Sequence, residues 1–294
     1  MNASEGIVTL SDGRRLGFNE FGPKNGLPLF YFHGFPGSRK EASLLFEDSY
    51  SSDWRIIAVD RPGMGLSDFH PNRTLRDWPF DIRELANRLG IDRFTIIGVS
   101  GGGPYAAVCA WAIPERVICA GIACGPDQLD EQQTLDELGA RNRGALRMLR
   151  SFPWLGKGTY AASAFLLKHW PLLMLDSQSH AFPLRDQAVL KESYVREALA
   201  NSFVESLRQG SSGGAHELKI LCNPWSFNLR EIQTPIALWH GELDTIVPVT
   251  MGRRIASQIP RCRATFFSDD GHYSLLVTRR EAMMRELRDL TVTS

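Results

Sequence analysis

The sequence predicts an α/β fold in which a mostly parallel sheet carries an inserted layer of helices, and three features support that prediction. Short apolar runs rich in β-branched and aromatic residues alternate with helical patterns from Leu29 to Cys124. That rhythm stops at Asp127, and only helical patterns follow to about Glu231. It resumes at Ile236, so the two halves belong to one sheet. The expected organisation is a core of residues 1–126 and 232–294 with a helical cap over 127–231.

Ile7 to Leu10, the turn Ser11-Asp12-Gly13 and Arg14 to Glu20 read as an antiparallel pair, because Asp-Gly accepts the backbone angles a hairpin needs. Leu29 to Phe32 and Ile56 to Val59 are strands flanking a helical segment around Glu41 to Tyr50, a βαβ unit. Over Trp78 to Leu89, residues Ile82, Leu85, Ala86 and Leu89 recur at helical spacing, with Asp77 as the expected cap and Gly90 as the stop. Phe94 to Val99 is the next strand, a helix from Gly102 to Trp111 follows, and Val117 to Cys124 continues the parallel series. In the interrupting block, helices are expected over Leu135 to Leu149, Ala161 to Leu175, Asp186 to Leu207 and Glu217 to Cys222. Gly210-Ser211-Ser212-Gly213-Gly214 reads as a flexible joint between them. The second half supplies a strand at Ile236 to Trp239, a helix near Met251 to Ile259, a strand at Ala264 to Phe267 and a helix from Tyr273 to Leu290.

Composition narrows the function classes. Of 294 residues, 43% are hydrophobic and 22% charged, enough apolar surface for a large core. Basic and acidic residues number 33 each, and no basic run offers a footprint for a phosphate backbone, so no nucleic-acid partner is expected. Met1 to Gly6 lacks the charged start and apolar core of a secretory signal, and no run of 18 apolar residues occurs. The expected location is cytoplasmic, with no integral membrane segment, and the oligomeric state is not readable. The five cysteines, Cys109, Cys119, Cys124, Cys222 and Cys262, are an odd number without C-x-x-C spacing and read as buried reduced thiols. The seven histidines are dispersed, so no metal site and no cofactor is expected.

The chemistry starts at Gly98-Val99-Ser100-Gly101-Gly102, a G-x-S-x-G run between a predicted strand and a predicted helix. Small neighbours suit a sharp turn that exposes a serine hydroxyl at a helix start. Ser100 needs a base to take its proton, and His272, just past the last predicted strand, is the candidate. The rivals are His33, His70, His169, His180, His216 and His240, of which His33 and His240 end strands before glycine and are expected to hold loop backbone. Asp244 is the candidate acid to orient the histidine, with Glu242 and Asp127 as alternatives. The turn His33-Gly34-Phe35-Pro36-Gly37 can aim the Phe35 N–H where the Gly101 N–H also points, forming an oxyanion hole, or it is a simple Pro-Gly turn.

These segments, together with Asp60-Arg61-Pro62-Gly63-Met64-Gly65-Leu66-Ser67, resemble the α/β-hydrolase family across nearly the whole chain. The order nucleophile, acid, histidine matches: Asp244 follows Ser100 by 144 residues, and His272 follows Asp244 by 28. The resemblance implies a small-molecule substrate and a loop-shaping role for Asp60 to Ser67, with Asp60 and Arg61 as a structural pair. The His33 to Pro36 turn is like that of epoxide hydrolases and dehalogenases, where the Phe-Pro peptide can be cis, but their nucleophile is aspartate and this one is serine.

Phe152, Trp154, Phe165, Trp170, Phe182 and Trp225 are aromatic cap positions that either line a pocket over Ser100 or form the cap's own core, with Trp154 and Trp225 as the first pocket candidates. The cap is expected to set substrate size without taking part in bond breaking. A membrane-surface role for Tyr160 to Leu167 is opposed by the interruptions at Lys168, His169 and Pro171. The leading expectation is hydrolysis of a small, mainly apolar carboxylic ester. C–C bond hydrolysis, lactone opening, perhydrolysis and cofactor-free oxygenation are open alternatives within the fold. A small-molecule sensor with a vestigial triad is the alternative of another class.

Overall fold

Side chains along the central strands alternate between the two sheet faces, and that period of two divides the core. Phe30, Phe32, Ile57, Val59, Ile96 and Leu238 face one side; Leu29, Tyr31, Ile56, Ala58, Ile97, Val99, Ala237 and Trp239 face the other. The computed structural model describes residues 4–45, 53–128 and 153–293, with the side chains of 153–157 outside that description.

Among the described residues, eight strands form one sheet: β1 (Ser4–Thr9), β2 (Arg15–Phe21), β3 (Leu27–Phe32), β4 (Trp54–Val59), β5 (Phe94–Val99), β6 (Val117–Ala123), β7 (Ile236–Gly241) and β8 (Cys262–Phe267). Their spatial order is β1-β2-β4-β3-β5-β6-β7-β8. The β1–β2 and β2–β4 pairs are antiparallel and all the others parallel. Because β3 lies between β4 and β5, the winding reverses there, and the carboxyl ends of β3 and β5 form the switch point where ligands of open α/β sheets bind. The register sets Phe32 opposite Gly98, which brings the loops that follow these two strands side by side.

One face is covered by α1 (Trp78–Arg88) and α2 (Gly103–Ala112), which bury Ile82, Leu85 and Val108. The other is covered by the last two helices, which bury Leu275, Leu276, Met283, Met284 and Leu287. Each such side chain contributes roughly 1.5–3 kcal/mol of burial free energy. Every described element between β6 and β7 is helical: α3 (Pro153–His169), α4 (Pro171–Ser179), α5 (Leu184–Val189), α6 (Ser193–Ser206), α7 (Ser212–Leu221) and a 3-10 turn at Leu229–Glu231. These helices have a cluster of their own, in which Leu175, Leu190, Val195, Leu199 and Phe203 pack with Leu44 of the core. After β7 come α8 (Val249–Gln258), then α9 (His272–Thr278) and α10 (Arg280–Thr293) after β8. No helix among the described residues is long and apolar enough to cross a membrane.

Several local expectations change. Between β3 and β4 the described segment is a 3-10 turn, Arg39–Leu44, and the remainder of the expected helix lies outside the described residues, as does the helix expected over Leu135 to Leu149. The single helix expected over Ala161 to Leu175 breaks at Pro171, whose nitrogen has no hydrogen to donate back into α3. The helices expected over Asp186 to Leu207 and Tyr273 to Leu290 are each two helices. Asp77 does not cap α1 through its side chain; its Oδ2 instead accepts from Thr74 N at 2.7 Å and Thr74 Oγ1 at 2.8 Å. Ser212, Gly213 and Gly214 are not a joint but the first turn of α7, and a Cβ at Gly213 would strike the Gly63 carbonyl. The glycine is needed because two backbones touch there.

Candidate active site

Ser100 sits half-buried between β5 and α2, on the first residue of a 3-10 turn, Ser100–Gly102. Its φ of 50° lies in the left-handed region, which costs a non-glycine residue of order 1–3 kcal/mol and is retained only where the surroundings enforce it. Those surroundings are tight: a Cβ on Gly98 would collide with the Gly102 carbonyl, and one on Gly102 with the Phe32 carbonyl. The turn is therefore built from residues without side chains on both sides of the serine.

The loop after β3 abuts this turn. A Cβ built on Gly101 would lie 2.9 Å from Phe35 Cβ and 3.3 Å from Phe35 N, so the two backbone segments expected to donate to an oxyanion are in contact. The Phe35–Pro36 peptide is cis. Arg61 holds the loop, donating from Nη1 to the His33 carbonyl and from Nη2 to the Gly34 carbonyl at 2.8 Å. Glu41 holds it from the other side, its Oε1 accepting from Gly34 N at 2.7 Å and from Tyr31 Oη at 2.8 Å. Asp60 and Arg61 do not pair with each other. Asp60 accepts from Arg39 N and Nη1, both at 2.7 Å, while Arg61 meets Glu217 of α7 at 3.0 Å. The two charges thus go to different partners.

His272 is the first residue of α9, and its Nδ1 meets Asp244 Oδ2 at 2.7 Å. Asp244 stands just after β7, and its second oxygen accepts from Ile246 N and Val247 N, both at 2.8 Å. Burial pushes the Asp244 carboxyl up, but His272, His240 and the backbone donors outweigh it and hold it below the ordinary 3.8. Burial pushes His272 down, but Asp244, Asp186 and Glu41 together raise it above the ordinary 6.5. The two partners' shifts agree in sense. No hydrogen bond joins Ser100 Oγ to His272 among the described residues; such bonds often tighten only when substrate is bound.

Four of the rival residues have partners of their own, although His240 Nε2 also stands 3.6 Å from Asp244 Oδ2. Asp127 accepts from Arg254 Nε at 2.8 Å, and Glu242 pairs with Arg253. His33 Nδ1 lies 2.8 Å from the Gly34 carbonyl and His240 Nε2 lies 2.9 Å from the Val247 carbonyl, both on loop backbone. Cys124, Asp244 and His272 offer metal-capable atoms within 4.8 Å of one another, but Asp244 Oδ2 and His272 Nδ1 are spent on each other. Four cysteines are buried and Cys262 is partly so.

The aromatic candidates separate. Trp225 is only 2% exposed, packs in the main core and stacks on Phe227 at 5.7 Å. Phe165 and Trp170 are half exposed, and Phe182 packs on Tyr273. Phe152 and the Trp154 side chain lie outside the described residues. An aromatic not singled out in the sequence, Tyr160 of α3, stacks on Phe35 at 6.0 Å. Glu41 and Asp186, both close to the site, were also not singled out; isolated carboxylates in helical patterns give no signal until the fold brings them to the site.

The sequence profile of the alpha/beta hydrolase fold family matches residues 28–278. The chain is 35% identical over 100 residues to a serine hydrolase-like protein of Danio rerio, covering 33% of this chain and 30% of that one. It is 36% identical over 115 residues to a non-heme chloroperoxidase of Streptomyces lividans, covering 38% and 41%. The chain thus aligns with well under half the length of these relatives. Among solved structures, a thermophilic esterase of Thermogutta terrifontis superposes with a TM-score of 0.69 over 99% of this chain and 100% of the other, at 20% identity, a likeness of fold. With its profile match spanning most of the sequence and its sheet wound as described, the chain belongs to the alpha/beta hydrolase fold family.

Proposed function

We propose that the protein is a serine hydrolase that cleaves a small, mainly apolar carboxylic ester through an acyl-enzyme. The observation that carries this reading is the 2.7 Å His272–Asp244 contact at the same sheet edge as a serine held at positive φ. Asp244 takes Nδ1, which leaves Nε2 as the ring nitrogen to serve Ser100. Ser100 Oγ attacks the ester carbonyl carbon while its proton passes to Nε2. The Phe35 and Gly101 N–H groups stabilise the oxyanion. The bond to the alcohol oxygen then breaks, and the alcohol leaves with the proton from Nε2. Water, deprotonated by Nε2, adds to the acyl carbon, and Ser100 departs with that proton, releasing the acid. No step requires a metal or redox group.

Residues 127–231 act in this reading as a cap over the site. Phe35 and Tyr160, stacked beside the Gly101 turn, favour an apolar acyl group over a charged one. The test combines steady turnover of p-nitrophenyl acetate with labelling by a fluorophosphonate. Ser100→Ala is expected to abolish labelling and lower kcat by roughly 10³-fold or more while the chain stays folded. Labelling that persists in the variant excludes Ser100 as nucleophile, and a single slow turnover in the wild type supports the sensor instead.

A further inference from the structure

The N-cap of α9 is Gly271, which has no side chain to cap the helix carrying His272. A carboxylate from the inserted helices takes that place. Asp186 of α5, fully buried, accepts from His272 N at 2.9 Å through Oδ2, and from Ser274 N at 2.8 Å and Ser274 Oγ at 2.6 Å through Oδ1. Ser274 Oγ in turn accepts from Gly271 N at 2.8 Å. The neighbouring Arg185 reaches Asp270 Oδ1 at 3.3 Å, so α5 grips the histidine loop on both sides of Gly271. Space has been left for this contact, since a Cβ on Gly271 would lie 2.5 Å from Asp186 Oδ2.

We propose that Asp186 is a positioning residue for His272, through which the inserted helices hold the base in its working pose. The inference rests on the reading of His272 as the base, and it changes the cap's role: the helices contribute to proton transfer as well as to enclosure. Two consequences follow from the geometry. Loss of the Oδ2 bond to the His272 N–H, where an amide would set donor against donor, loosens the first turn of α9 and lets the imidazole swing away from Ser100. Loss of the charge also removes one of the anions that favour the imidazolium. The other groups facing His272 are Asp244 beyond β7, His240 at the end of β7, Cys124 beyond β6, Glu41 of the 3-10 turn, and Tyr273 beside it on α9. None of these groups is removed when Asp186 is altered.

The experiment follows the rate of fluorophosphonate labelling of the full chain against pH, with thermal unfolding in parallel. Asp186→Asn is expected to slow labelling roughly 10- to 100-fold, the scale of an ångström-level misplacement. It should also lower the pH midpoint of the acid limb by about half a unit, less than the 1–3 units of a directly contacting charge. Gly271→Ala keeps the charge but pushes it off the backbone, so it should slow labelling with little movement of the midpoint. Glu205→Gln, which weakens a different anchor of the inserted helices, to Arg39, should lower the melting temperature and leave the midpoint unchanged. A folded Asp186→Asn with wild-type rate and midpoint overturns the proposal, as does a Glu205→Gln that reproduces its shift. If Asp186→Asn does not fold, an unaltered labelling rate in Gly271→Ala overturns it instead. Labelling that survives Ser100→Ala marks a failure of the underlying reading, and the proposal falls with it.

Discussion

Asp244→Asn tests the proposed triad most sharply, because the structure dictates how an amide must sit. Oδ1 of Asp244 accepts two backbone N–H groups, from Ile246 and Val247, each at 2.8 Å. An asparagine keeps its carbonyl oxygen there, since turning its NH2 inward would set donor against donor and leave two buried N–H groups unpaired, at about 1–3 kcal/mol each. The NH2 is then directed at His272 Nδ1, which must become the acceptor and send the ring proton to Nε2. A protonated, neutral Nε2 cannot take the proton from Ser100. The expected loss in kcat is on the order of 10⁴-fold, about 5.4 kcal/mol at 1.36 kcal/mol per tenfold step. The assay is p-nitrophenyl ester turnover alongside fluorophosphonate labelling, with Asp127→Asn as comparison. Asp127 is bound to Arg254 and has no bond to His272, so its variant should stay within about threefold of wild type. If Asp127→Asn is the damaging change, or if Asp244→Asn keeps a tenth of the activity, the assignment of the acid is refuted.

Because His272 is held above 6.5 and must be neutral to act, the acid limb of kcat/KM should have its midpoint above pH 6.5 and move down in Asp244→Asn, read from a pH–rate profile. The stability signs differ for the two partners. The His272 contribution is full below pH 6.5 and is lost as pH rises through its folded value. The Asp244 contribution is present above pH 3.8 and is lost as pH falls through its depressed value. Glu217→Gln should cost about 3 kcal/mol or more in urea unfolding, because the fully buried carboxylate balances Arg61 and Arg73 and its loss leaves buried guanidinium charge uncompensated. Trp225→Ala should cost about 3–5 kcal/mol and leave the shape of an ester chain-length series unchanged, whereas a Trp154 effect on that shape would place Trp154 in the pocket.

The parts legible in the sequence are those written in local pattern. Strand runs such as Leu29 to Phe32 and Phe94 to Val99 bury both faces, so their apolar continuity identified them, with ends moved by a residue or two. His272 and Asp244 were legible because strand ends in a parallel sheet open on one edge, and the structure brings the pair into contact. What stayed hidden depends on pairing across the chain. Asp186 and His272 are 86 residues apart, and Arg73 and Glu217 are 144 apart. Each looks like an ordinary charge on an amphipathic helix or loop. Asp60 and Arg61, expected as a structural pair on the family resemblance, turn to different partners, Arg39 and Glu217, that lie far off in the sequence. The glycines at 213 and 214 read as a joint because composition cannot distinguish a glycine chosen for freedom from one chosen for close approach.

The anchors of the inserted helices have one chemistry in common. Asp186 of α5, Glu205 of α6 and Glu217 of α7 each carry a carboxylate to the core, onto the His272 backbone, Arg39 and the Arg61–Arg73 pair respectively. An apolar interface of the same size would hold these helices at least as well, since buried ion pairs rarely exceed well-packed hydrophobic replacements. What the polar anchors add is register: each carboxylate is satisfied only where its own donors stand, so a slide of a few ångströms along the core leaves buried charge unpaired. Two of the three anchor points belong to the loop system around Ser100, for Arg61 also holds the His33 and Gly34 carbonyls beside Phe35. The inserted helices are thus tied at once to the proposed base and to the proposed oxyanion loop. A displacement of α5 and α7 relative to the core must therefore disturb both.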